Sequence, residues 1–139
     1  MSGILETIII FIVAVMSSFV PMKEEGVVVD FDQVTTETTV IVCEYENKTN
    51  RIINEPNISA LSKKVDGEWQ TVVNIPIPEA SSRVMPGRRD LLCKFNIEHY
   101  TGETHLEAGE YKFTLVYDIR LFDESIPMSI DIPFTVVEA

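Results

Sequence analysis

Between Gly109 and Asp118 the chain alternates without a fault: Tyr111, Phe113, Leu115 and Tyr117 fall on one face, Lys112, Thr114, Val116 and Asp118 on the other. A period of two is the side-chain period of a β-strand that is buried on one side and wet on the other. The aromatic row is bulky enough to fill the space between two sheets. Immediately upstream, Leu106-Glu107-Ala108-Gly109-Glu110-Tyr111 joins a turn signal to the head of that strand with the spacing of a tyrosine corner. In such a corner the ring packs inward and the hydroxyl bonds to backbone a few residues earlier, pinning a crossover between strands. Leu106, Gly109 and Tyr111 therefore predict an all-β sandwich. They predict no reaction.

From Gly26 onward the rest of the chain repeats the theme. Gly26 to Phe31 (GVVVDF) reads as a first strand, and in Thr38 to Glu46 the residues Ile41, Cys43 and Tyr45 oppose Val42, Glu44 and Glu46, so the acidic side is the wet side. Asp66-Gly67 supplies the positive φ angles of a two-residue hairpin between Ile58–Val65 and Glu68–Val73. Asn74 to Pro86, rich in Pro and Ser, reads as an irregular crossover. Asp90 to Ile97 is expected to turn Leu91, Cys93, Phe95 and Ile97 inward against Leu92, Lys94 and Asn96, with a loop from Glu98 to His105. In the last strand Met128, Ile130, Ile132, Phe134 and Val136 point inward, while Pro127 and Pro133 remove backbone donors and blunt an edge. About seven strands result, with the turn spacing of an immunoglobulin-like Greek-key sandwich.

At 139 residues the chain fits one domain that buries roughly two thirds of its unfolded surface, so disulfides and metals are optional. Eleven Lys and Arg against 22 Asp and Glu leave a net charge of −11. That acidity argues against nucleic acid as a partner and for a soluble surface. Residues 1–25 stand apart. From Thr7 to Val20 the run TIIIFIVAVMSSFV carries no charge, and with Ile4 to Glu6 it approaches the length that spans a bilayer. Residues 4–20 are therefore expected to be helical and to meet a membrane, as a signal peptide or an anchor followed by a linker, with residues 26–139 as the domain. Either form implies export, although no Lys or Arg precedes the run and no small-x-small cleavage pattern follows it.

The run from Tyr45 to Val73, in which ENKTN closes one strand and KKVDGEWQTV forms a hairpin, resembles the bacterial immunoglobulin-like domains of exported Firmicutes proteins. MPGRRDLLCKF and LEAGEYKF are similar to that family's proline-glycine turn, following strand and L-x-x-G-x-Y corner. The resemblance covers roughly residues 26 to 137. It implies a fold and its turn chemistry, and no catalytic site. Two inward cysteines are a departure from the family's pattern.

Those cysteines, Cys43 and Cys93, fall on the core faces of two strands that lie side by side in an immunoglobulin-like order. A bridge between them would close a loop of about 51 residues, worth about 4 kcal/mol in the chain-entropy account; the other reading is a pair of small apolar core residues. Trp69, beside the hairpin turn, reads either as a core residue of the sandwich or as an exposed interaction anchor. His99 and His105 share one loop, too few ligands for zinc, and carboxylates such as Asp30, Asp32, Asp123 and Glu124 lack the twelve-residue calcium pattern. Asn47-Lys48-Thr49 and Asn57-Ile58-Ser59 match the glycosylation acceptor pattern, which is common by chance. No cofactor is expected. The expected function is a non-enzymatic, secreted or membrane-anchored module for adhesion, spacing or protein interaction, whose partner is a protein or a cell-surface polymer. A membrane-held subunit of a filament or transport assembly, or an inhibitor-like sandwich, is the alternative.

Overall fold

The computed structural model describes residues 26–54, 56–77 and 83–139. The apolar run of residues 4–20, expected to be helical, lies outside them; among the described residues no helix is long and apolar enough to cross a membrane. In chain order the elements are β1 (Val27–Asp30), β2 (Val34–Thr35), β3 (Val40–Asn47), β4 (Ile53–Asn54), β5 (Asn57–Val65), β6 (Glu68–Asn74), β7 (Arg83–Val84), β8 (Arg89–Asn96), α1 (Ile97–Thr101), β9 (Gly109–Leu121) and β10 (Glu124–Val137). Among the described residues the chain is all-β apart from one helical turn.

Two sheets form. The smaller has the order β1-β3-β8, antiparallel throughout. In the larger, β9 is the central strand, with β10 along one side and β4 followed by β5 along the other. β7 pairs with β4, β6 with β5, and β2 runs parallel to the end of β10. The inner faces meet in one core. Ile41, Cys43, Tyr45 and Phe95 come from the smaller sheet, and Leu61, Tyr111, Phe113 and Leu115 from the larger, all buried. Phe95 and Phe113 join the sheets edge to face, with ring centroids 5.2 Å apart.

Local chemistry accounts for the details. The Tyr111 hydroxyl donates to the carbonyl of Glu107 at 2.8 Å, four residues upstream, so the corner closes beside the buried Leu106. Gly109, at φ 152°, makes the bend that a side chain would resist. The Asp66-Gly67 hairpin has φ 52° and 82°, positive at both central positions as a type I′ turn requires. α1 occupies the start of the expected loop: Asn96 caps it by accepting from the His99 amide at 2.9 Å, and Gly102 ends it in the left-handed region.

One expected phase is corrected. Leu91 is 48% exposed rather than inward, and Leu92 packs against the core in its place. The cause is a β-bulge: Cys43 pairs with Cys93 but the next residue, Glu44, pairs with Leu91. Leu92 is the extra residue, and each insertion of that kind reverses the alternation beyond it.

Candidate functional site

The bulge brings Leu92 beside Cys93, which keeps its regular inward place opposite Cys43, and both line a cleft of about 240 Å³ with Asn57, Ile58, Ile75, Pro76, Phe95 and Tyr100. Tyr100, carried by α1, stacks on Phe95 at 4.8 Å and closes one side. Cys43 and Cys93 are direct cross-strand partners, both free thiols, and their surroundings differ. Cys43 is 0% exposed, whereas Cys93 is half-buried on the cleft wall. Hydrogen bonding between the two sulfurs, with burial and the Cys93 charge adding to it, pushes the Cys43 thiol well up. The same bond lowers Cys93 against the opposing effect of burial. Of the two thiols, Cys93 is the one that borders the cleft.

A second feature lies at the end of the sandwich where β9 turns into β10. Arg51, Arg83 and Arg120 line a hollow of about 250 Å³ together with Asn50, Ile52 and Phe122. A lining with three arginines suits a carboxylate or a phosphate group. Phe122 stands 92% exposed at φ 59°, a conformation unfavourable for a bulky side chain. Asn47, fully buried, holds the loop that brings Arg51 there. Its amide donates to the carbonyls of Arg51 and Val84, and its Oδ1 accepts from the Thr49 amide and hydroxyl. With both amide hydrogens engaged and no exposure, Asn47 is a strut and not a glycosylation acceptor. Gly26 belongs to this same end, since its carbonyl accepts from the Lys48 amide at 3.1 Å.

Trp69 is not in the core. It is 39% exposed on the outer face of the larger sheet, with the Lys112 ammonium 4.7 Å and the Lys64 ammonium 5.8 Å from its ring centroid. The reason is register: Lys64 sits directly opposite Trp69, and residues opposite each other project on one face. The two flanking cations cover the ring by cation–π contact, so Trp69 is partly occupied by its own sheet. His99 lies edge-on to Tyr100 at 4.8 Å. Asp30 faces Arg89, which also reaches Glu44 and Glu46; these contacts are exposed and contribute little to stability. Among the described residues no group of three or more His, Cys, Asp or Glu is placed to hold a metal ion.

Sequence reading singled out Cys43, Cys93, Leu106, Gly109, Tyr111 and Trp69. The structure joins the cysteines in one pair and the corner residues in another place, and leaves Trp69 on a separate face. It adds Phe122 and the three arginines, which lie far apart in the chain and carried no local signal. No protein-family model, curated protein or solved structure matches the chain.

Proposed function

We propose that this chain is a non-enzymatic immunoglobulin-like module, exported and held at a membrane by the apolar run of residues 4–20, that works by contact with a protein or a cell-surface polymer. The strand order supports the immunoglobulin-like reading: β3 lies between β1 and β8, while β9 lies between β10 and β5 in the facing sheet. The observation that carries the contact role is Phe122. Folding gains nothing from a bulky side chain that is fully solvated in an unfavourable backbone region, and such outliers concentrate at functional positions.

The arginines beside it give the surface a chemistry, an apolar tip next to a site for an anionic group. Because the chain enters the domain at the same end, an anchored molecule presents Phe122 and the arginines toward the surface that holds it. Fractionation of native cells, with mass spectrometry of the mature N-terminus, tests the tether; recovery of the intact chain in the cytosol would overturn it. Cross-linking of the full chain in cells tests the contact. The expected result is an adduct that Phe122→Ser removes without lowering stability, and an adduct unchanged in that variant would overturn the assignment.

A further inference from the structure

We propose that Cys93 and Cys43 form a dithiol–disulfide couple, in which Cys93 takes up sulfur from a small disulfide through the cleft and Cys43 resolves it, stapling β3 to β8. Three observations carry this. The two residues are directly opposed on antiparallel strands, which sets their Cα atoms about 4.5–5.5 Å apart, inside the range that a disulfide accepts. Access is one-sided, because Cys43 has no exposed surface while Cys93 borders the cleft. The bulge sets Leu92 beside Cys93 on the same opening, and bulges are over-represented next to reactive sites.

The chemistry balances with a disulfide RSSR as oxidant. The Cys93 thiolate attacks one sulfur of RSSR, the S–S bond breaks, and one RS⁻ leaves and takes a proton. Cys43 then gives up its proton and attacks the Cys93 sulfur of the mixed disulfide, expelling the second RS⁻. Two protein thiols are oxidised to one disulfide, and RSSR is reduced to two RSH. The cleft admits a small, uncharged or weakly charged disulfide. Its wall is made largely of Ile58, Ile75, Pro76, Leu92 and Phe95, which offer no charged partner to a larger peptide disulfide.

The test uses the full chain in detergent, reduced, then exposed to 2-hydroxyethyl disulfide near neutral pH and read by intact mass and peptide mapping. The wild type should lose two hydrogens and retain no adduct. Cys43→Ser should stop at one mixed disulfide on Cys93, and Cys93→Ser should remain unmodified. A wild-type protein that keeps a stable adduct, or a Cys93→Ser variant that reacts as readily as Cys43→Ser, would overturn the proposal. A brief iodoacetamide pulse on the native, reduced wild type needs no variant: labelling should favour Cys93 over Cys43 by more than about tenfold, and equal labelling overturns the order of events. These outcomes are independent of where the chain resides, which cell fractionation reads separately.

Discussion

Two hairpins of this molecule turn in two residues each, and they are held by opposite means. β5 and β6 meet at Asp66-Gly67, where both residues take the positive φ that the turn requires. β9 and β10 meet at Phe122-Asp123, where Phe122 occupies a position at φ 59° that favours glycine. The first hairpin has six register pairs interrupted by a shift between Leu61 and Ser62; the second has an unbroken ladder from Glu124–Leu121 to Val136–Gly109. Where the turn is right, a short and irregular ladder suffices. Where the turn is wrong, long pairing and a packed aromatic row impose it, at a cost of about 1–3 kcal/mol of local strain.

The comparison breaks first at Phe113. It is fully buried and touches Phe31, Phe95 and Phe134, so Phe113→Ala should cost about 3–5 kcal/mol by denaturant unfolding. A loss under about 1 kcal/mol would show that the β9–β10 ribbon is not what overrides its turn. Gly67→Ala comes next. Nothing lies within 4 Å of the added Cβ, so the cost of about 1–2 kcal/mol is that of the backbone conformation alone. An unchanged midpoint would mean that the first hairpin does not depend on its turn.

Tyr111→Phe leaves the carbonyl of Glu107 without its bond and should cost about 1 kcal/mol. Stability within error of the wild type would place the pinning of β9 elsewhere. The smallest effect is a gain. Phe122→Gly should relieve strain and raise stability by about 0.5 kcal/mol after the entropy of the added glycine is offset. Destabilisation there would show that Phe122 has a structural task.

Much of the β9 and β10 pattern was legible because one face is wet and the other aromatic, and the corner and the Asp66-Gly67 turn have local signatures. The phase of β8 was not. Leu91 and Leu92 are both apolar, so alternation alone cannot reveal which of them a bulge has set outward. Trp69 stayed open between core and surface for a related reason: a lone Trp is ordinarily core, yet two lysines over its ring make an exposed position tolerable. Asn47 matched an acceptor pattern for glycans while its role depends on Arg51 and Val84, the latter a distant part of the chain. Arg51, Arg83 and Arg120 converge only once the sheets are assembled, and no spacing along the chain foretells that.

The prolines of β10 have a consequence where copies of the domain meet at high concentration. The Val137 carbonyl accepts from Thr36, on the side away from β9. Backbone groups two residues apart point the same way along an extended strand, so the nitrogens of Pro127 and Pro133 face outward too. Between them only Ser129 and Asp131 present amide hydrogens on that side. An incoming strand from a neighbouring copy would meet a missing donor within two pairs in either direction. Copies of the domain are therefore kept from joining along this edge of β10 into a continuous ribbon.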